Sequence, residues 1–258
     1  FVYKIKGMNL SGLIITLNEE KNIRECIKSM QAICDDIVVV DSLSSDSTCD
    51  IAKELGATVI RQKYLGDGPQ RSHGLKSCKH DWVLNIDADE RVDEEMADEI
   101  QQMNLDQSTF DSYEFRRKNI FHGKWIKHSD WYPDYIRRLF NRTKVDFSQV
   151  MGHTKIQSEN YKKIKQGHVV HYTAENYHEL LFALNKYSTR QANIWHEQGR
   201  KVFLYEPFTH GFFAFVKAYI LRRGFLDGID GFNISVSKGL GSYLKYMKLY
   251  ELNKLSVD

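Results

Sequence analysis

The stretch Asp36–Thr48, DIVVVDSLSSDST, decides how the rest of the chain is read. Ile37–Val40 is continuously apolar where a half-solvated strand would alternate, so it reads as a strand buried on both faces, the kind found in parallel sheets. The Ser/Asp cluster after it supplies a turn and an N-cap for the helix CDIAKELG, which stops at Gly56. Working outward, the same unit repeats. Upstream, LSGLIITL (Leu10–Leu17) is a β-rich run, and NEEKNIRECIKSMQ places Ile23, Cys26, Ile27 and Met30 at helical spacing. Downstream, ATVIRQ is a third strand, GPQRSHGLKSC opens a third helix and DWVLNID is a fourth strand. DEEMADEIQQM follows as a helix with acidic residues in its first turn. Strand and helix alternating at this spacing predict right-handed βαβ units: a parallel sheet with helices on both faces, its ligands at the carboxyl ends of the strands.

The rhythm changes after residue 110. YEFRRKNIF, DYIRRLFN, HTKIQ and KQGHVVHYT read as shorter strands with polar alternation, suited to antiparallel additions. Helical patterns then occupy Asn176–Gln198, about Phe208–Arg223, and Phe232–Leu252. No internal repeat or low-complexity segment appears, and the one boundary is expected near residue 200. Residues 1–7 read as a cloning remnant and are left out of the fold.

With 258 residues, 42% hydrophobic and 27% charged, the composition suits one globular domain with an appendage. Cys26, Cys34, Cys49 and Cys78 form no Cys-x-x-Cys pair and no zinc spacing, and read as reduced thiols. No secretory signal pattern opens the chain. The longest uncharged apolar stretch near the C-terminus, Pro207–Val216, falls far short of the roughly 20 residues that span a bilayer. Net charge is +2, but residues 1–110 carry 12 Lys+Arg against 20 Asp+Glu while residues 111–258 carry 24 against 14. An acidic half joined to a basic half points to a cation in the first and an anionic partner or surface for the second.

Asn85–Arg91, NIDADER, crowds three carboxylates behind the fourth strand. In an extended segment residues two apart point the same way, so Asp87 and Asp89 aim together into the crevice at the strand's end. Two such carboxylates repel unless a proton or a cation sits between them, and a hard ion such as Mg²⁺ or Mn²⁺ takes one or two carboxylates plus substrate phosphates. Asp-x-Asp is common by chance; the context carries the weight. Asp41 ends the second strand on the same rim, Thr16, Asn18 and Glu19 end the first, and GDGPQRSHG supplies Gln70 and Arg71 before a helix, where a guanidinium and backbone N–H groups meet phosphate.

Taken in order, IITLNEEKNI, DDIVVVDSLSSDST, DWVLNIDADERV, WYPDYIRRLF and LLFALNKYSTRQA resemble the family 2 glycosyltransferases of GT-A fold, and most closely a bacterial branch similar to lipopolysaccharide-core glucosyltransferases. The resemblance runs from about Met8 to Leu252. It implies a catalytic domain over 8–200, with a nucleotide-binding half (8–105) and an acceptor half (106–200), and a C-terminal amphipathic helical region over 201–258. By that resemblance Asp41 contacts uracil, Thr16, Asn18 and Glu19 line the nucleotide pocket, Gln70 and Arg71 lie near it, and Asp87 approaches ribose and metal. Asp89 ligates the metal. His171 of HVVHYT fits the place of a late metal-ligand histidine, with His168 as its rival. The implied reaction is inverting transfer of a hexose, with glucose the family-level expectation, from a UDP-sugar to a membrane-anchored glycolipid such as a lipopolysaccharide core.

At one position the chain departs from that branch. A His-Glu pair is usual some sixty residues after Asp-x-Asp, but here MGHTKI keeps His153 and puts Thr154 where the Glu would stand. A threonine is no base near neutral pH, so either His153 or Asp134 takes the acceptor's proton, or the chain is a nucleotide-sugar-binding pseudoenzyme or scaffold in a glycan assembly complex.

In the C-terminal part, FTHGFFAFVKAYILRRGF places Phe212, Phe215, Val216, Tyr219 and Ile220 on one stripe beside Lys217, Arg222 and Arg223. Such a helix suits an anionic membrane surface, which predicts a cytoplasmic protein held peripherally on the inner face of the membrane. Arg116, Arg117, Lys118, Arg137 and Arg138 are expected to serve the anionic acceptor. Other classes fit less well. A sugar-phosphate nucleotidyltransferase needs a basic Gly-rich loop where NEEKNI stands, no Gly-x-Gly-x-x-Gly follows a strand, and the basic residues form no nucleic-acid stripe.

Overall fold

The computed structural model describes residues 8–147 and 156–255. Four strands, β1 (Leu10–Thr16), β2 (Asp36–Asp41), β3 (Thr58–Arg61) and β4 (Trp82–Asp87), pair in parallel in the order β3-β2-β1-β4. Helices α1 (Ile23–Gln31), α2 (Thr48–Glu54) and α3 (Asp67–Leu75) connect them. All six residues of β2 are buried. Ile37 and Val39 join one apolar cluster, with Ile23, Cys26, Ile27 and Met30 of α1, while Val38 and Val40 join a second. Because successive side chains leave a strand on opposite faces, this division places a covering layer on each side of the sheet. α3 approaches so closely that a Cβ on Gly74 would lie 2.5 Å from Val40 Cγ2 and 2.6 Å from Leu13 Cδ1.

The sheet continues with β5 (Glu90–Val92), β6 (Ser112–Phe121), β7 (Lys124–Trp125), β8 (Asp134–Asn141) and β11 (Tyr161–Ala174), in the order β4-β8-β6-β11-β5, with β7 on β6. β8 pairs antiparallel with β4 and β11 antiparallel with β5, so the antiparallel additions expected after residue 110 are present. A separate ribbon joins β9 (Asp146–Phe147) and β10 (Ile156–Gln157). Helix α4 (Glu94–Gln101) begins at Asp93, whose carboxylate accepts from Met96 N–H.

The chain divides into two compact units: Phe1–Arg117 with Tyr135–His171, and Lys118–Asp134 with Tyr172–Asp258. This division falls elsewhere than residue 200. The helices α5 (Tyr177–Glu197), α6 (Glu206–Val216) and α7 (Gly228–Leu255) pack chiefly on one another, so α5 belongs with the C-terminal helices. Among the described residues no helix is long and apolar enough to cross a membrane.

α5 starts at Asn176, whose Oδ1 accepts from Glu179 N–H at 3.0 Å while Glu179 Oε2 accepts from Glu175 N–H at 2.8 Å. Two otherwise orphan donors are satisfied at once. Replacing this cap removes about 1 kcal/mol, so Asn176→Ala is expected to lower the melting temperature by about 2–4 °C, read by circular dichroism.

The aromatic stripe in α6 is split. Phe215 and Tyr219 stack on each other and both meet Phe232 of α7 edge-on, whereas Phe212 and Ile220 face solvent. A π-helical turn over Lys217–Leu221 follows α6.

Candidate functional site

In the first unit the register aligns the strand ends. Thr16 pairs with Asp41, Asp41 with Arg61, and Ile15 with Asp87, so hydroxyl, carboxylate and guanidinium line one rim. Past β1, Asn18 adopts φ 54, a left-handed turn that Asn tolerates better than most residues. Its N–H donates to Ser44 Oγ at 2.8 Å and its Oδ1 accepts from Ser45 N–H at 2.9 Å. Glu19 N–H donates to Thr48 Oγ1 at 2.8 Å. The β1 and β2 loops are thereby locked together. Asp41 is completely buried, accepts from both the N–H and the hydroxyl of Ser44, and lies 3.7 Å from Arg61 Nε. Gln70 is equally buried: its Oε1 accepts from Leu65 N–H and its Nε2 donates to Gln62 O and Ser42 Oγ. Its amide thus holds the loop before α3.

NIDADER resolves its three carboxylates into two jobs. Asp87 accepts from Arg71 Nη2 at 2.5 Å and from Arg138 Nη2 at 2.7 Å. Glu90, completely buried on β5, accepts from the same Arg138 nitrogen at 2.5 Å and from Asp87 N–H at 3.1 Å, with Arg117 Nη1 at 3.7 Å. Burial pushes the Asp87 carboxyl up, but Arg138 and Arg71 outweigh it and hold it well below the ordinary carboxylate range. The same two acids outweigh burial at Arg138 and hold its proton more tightly.

Asp89 stands apart. Its side chain is 35% exposed, no guanidinium reaches it among the described residues, and its Oδ2 faces His171 Nε2 at 3.2 Å. β11 delivers that histidine by pairing His171 with Glu90 across the ladder. Glu19 lies close enough to feel Asp89: burial raises its carboxyl first, Asn22 opposes by hydrogen bonding, and Asp89 adds repulsion that raises it further. Asp89 and His171 offer a carboxylate and an imidazole, ligand types that a divalent ion takes, but they form a pair; among the described residues the group of three whose ligand atoms lie close enough to share one ion is Asp93, Glu95 and His168. Thr16 Oγ1 and Arg71 Nε are among nine buried side-chain polar atoms that have no hydrogen-bond partner among the described residues. Both border this rim, and buried polar atoms of this kind ordinarily find partners.

His168, the rival histidine, is engaged elsewhere. Its Nδ1 is 3.2 Å from Asp93, the residue that caps α4, and Glu95 completes a close cluster with them. Arg137 and Arg138, expected to meet an anionic acceptor, are spent inside the fold, Arg138 on Asp87 and Glu90, Arg137 on Glu114 and the carbonyls of Ile156 and Ser158. Both sit on β8. Asp134 heads β8 and belongs to the second unit, partly buried. His153 and Thr154 lie outside the described residues. Sequence analysis gives Glu90 no role and places Arg138 on the acceptor side; the signal for an interior Arg138 is its place in the strand DYIRRLFN beside Leu139 and Phe140.

A central sheet with parallel strands β3-β2-β1-β4, antiparallel additions and polar groups at the strand ends is the GT-A arrangement, and the class is that of the glycosyltransferases. The model of "Glycosyl transferase family 2" matches residues 11–164. An uncharacterized glycosyltransferase of Rickettsia typhi is 33% identical over 95% of this chain and 87% of its own length. The lipopolysaccharide core biosynthesis glycosyltransferase LpsC of Rhizobium meliloti is 26% identical over 97% of this chain and 95% of its own. The solved glucosyl-3-phosphoglycerate synthase from Mycobacterium tuberculosis, in complex with Mn²⁺, UDP and glucosyl-3-phosphoglycerate, is 23% identical with a TM-score of 0.34, and 43% of each chain is covered, so this chain spans less than half of it. The chain belongs to glycosyl transferase family 2.

Proposed function

We propose that this transferase moves a hexose, glucose, with inversion from a UDP-sugar to a sugar hydroxyl of a membrane-anchored glycolipid such as a lipopolysaccharide core, using Mg²⁺ or Mn²⁺. The observation that carries the reading is the contrast within NIDADER: Asp87 and Glu90 are neutralised by arginine, while Asp89 is left facing His171. Asp89 and His171 would hold the ion, which when bound supplies Lewis-acid stabilisation of the charge growing on the departing diphosphate. Arg71, fixed by Asp87 and with Nε unpaired, is preorganised to donate to phosphate without reorganisation. Thr16 and Glu19 belong to the same nucleotide pocket. Asp41 meets uracil once the Ser42–Ser44 turn releases one of its oxygens, since its carboxylate is otherwise sealed.

The acceptor's proton goes to Asp134 or His153. Lipopolysaccharide core as the acceptor class is supported by the name of LpsC. A place on the inner face of the membrane is supported by the exposed Phe208, Phe212, Phe213, Leu221 and Phe225, with Lys217, Arg222 and Arg223 among them.

The test is a thermal-shift panel of UDP-sugars with and without Mn²⁺, paired with release of free sugar to water. A UDP-sugar that stabilises only with metal and is slowly hydrolysed is the expected result. Stabilisation by none of them sinks the reading, and UDP binding with no hydrolysis selects the non-catalytic scaffold.

A further inference from the structure

The second unit contains a cleft of ≈ 380 Å³ whose lining includes Lys127, His128, Asp130, Tyr132, Arg222 and Arg223. Its charges do not balance. Lys127, Lys217, Lys238, Arg222 and Arg223 gather in or beside it, against the carboxylates Asp130, Asp134 and Asp227. Asp130 is taken up by Arg222 Nε at 2.7 Å and Lys217 Nζ at 3.4 Å. Asp227 is taken up by His128, whose N–H donates at 2.8 Å and whose Nδ1 lies at 2.9 Å. Lys127 and Arg223 have no carboxylate partner among the described residues; Lys127 Nζ rests over the Trp125 ring at 4.6 Å.

The backbone here is also held in uncommon conformations. Ser129 (φ 59), Asp130 (φ 61) and Arg223 (φ 54) are left-handed without being glycine, a state that costs on the order of 1 kcal/mol each. Neighbouring contacts enforce it. Ser129 N–H donates to Arg222 O at 3.0 Å, Ser129 Oγ lies 3.2 Å from Ser235 Oγ, and a Cβ on Gly224 would collide with that same Ser129 hydroxyl. Strain that surrounding structure over-determines, at a cleft with surplus cations, is the construction of a preorganised anion site.

We propose that this cleft is an anion site that takes a phosphomonoester. A guanidinium with free donors suits phosphate oxygens, and a cleft of this size admits a phosphorylated sugar or a phosphate-bearing headgroup. The cleft lies wholly within the second unit, so its occupancy is tested apart from the donor reading.

The test uses the full chain and the double variant Lys127→Ala/Arg223→Ala, both positions being exposed. Glycerol 3-phosphate is titrated as the free probe, and phosphatidylcholine vesicles with and without phosphatidic acid as the lipid-borne one. The wild type is expected to bind at least one phosphomonoester, the double variant about tenfold or more weakly, and Lys127→Arg/Arg223→Lys as well as the wild type. Response to glycerol 3-phosphate alone assigns a soluble phosphosugar, and response to phosphatidic acid alone a lipid. Equal binding by the alanine variant, or binding of neither probe by the wild type, overturns the site. The thermal shift with UDP and Mn²⁺ separates the two ideas: present in every variant, it certifies their folds, and if it is absent from all while anion binding still falls with the alanines, the donor reading fails and the cleft stands.

Discussion

Asp89→Asn is expected to keep the fold and to lose UDP-sugar turnover by about a hundredfold to a thousandfold, the scale of removing one preorganised electrostatic contact at a developing charge. The substitution is isosteric, so shape is unchanged. What changes is the only carboxylate of NIDADER that arginine does not neutralise, together with its partnership with His171 at 3.2 Å. Stability should hold or rise slightly, because the repulsion that raises the Glu19 carboxyl includes Asp89. As that carboxyl relaxes toward its ordinary value, Glu19 in the variant should titrate lower. Steady-state hydrolysis of the UDP-sugar chosen by the thermal-shift panel, over a Mn²⁺ series, gives the measurement. Metal-dependent turnover at the wild-type level would remove Asp89 from the site.

Much of this site is written locally. The doubly buried DIVVVD, the cap at Asn176 and the strand DYIRRLFN each follow from residues within one turn or one strand, and β8 spans Asp134–Asn141 as its pattern requires. Asp87 ends β4 as its own strand pattern requires, but Asp89 lies in the turn to β5, where the two-apart rule of an extended segment does not hold, and the two carboxylates meet different partners. Nor does Glu90 follow from local logic. By sequence it looks like acid leading into the next helix, yet it forms a short strand whose partner β11 begins some seventy residues later. The arginine that neutralises it is 48 positions away. Pairing at that separation is fixed by tertiary packing, and no periodicity reports it. For the same reason Arg138 reads as a surface cation available to an acceptor, although its strand neighbour Phe140 and the burial of the strand end hint at an interior place. The π-turn after α6 is equally invisible, since a one-residue change of helical repeat leaves composition intact.

Arg138→Met is expected to cost about 3 kcal/mol or more, the scale of breaking a buried ion pair from one side, and to lower the melting temperature by about 6–12 °C in a chain of this size. Methionine replaces most of the volume, so packing loss is small. The cost comes from Glu90, completely buried, whose remaining cation is Arg117 at 3.7 Å, and from Asp87, whose remaining cation is Arg71. Adding Glu90→Gln should return part of the stability by removing the stranded charge; no recovery would mean that the arginine acts through its bulk. Acid supplies an independent check. The Asp87 carboxyl is held below its ordinary value of 3.8 in the fold, so its contribution is present above that pH and is lost as pH falls toward the folded value. Removing Arg138 lets the carboxyl move back up and takes away part of that contribution. The gap in melting temperature between wild type and Arg138→Met should therefore be widest near neutral pH and narrow below about pH 4. A gap that stays constant through that range would show that the guanidinium does not act through the Asp87 charge.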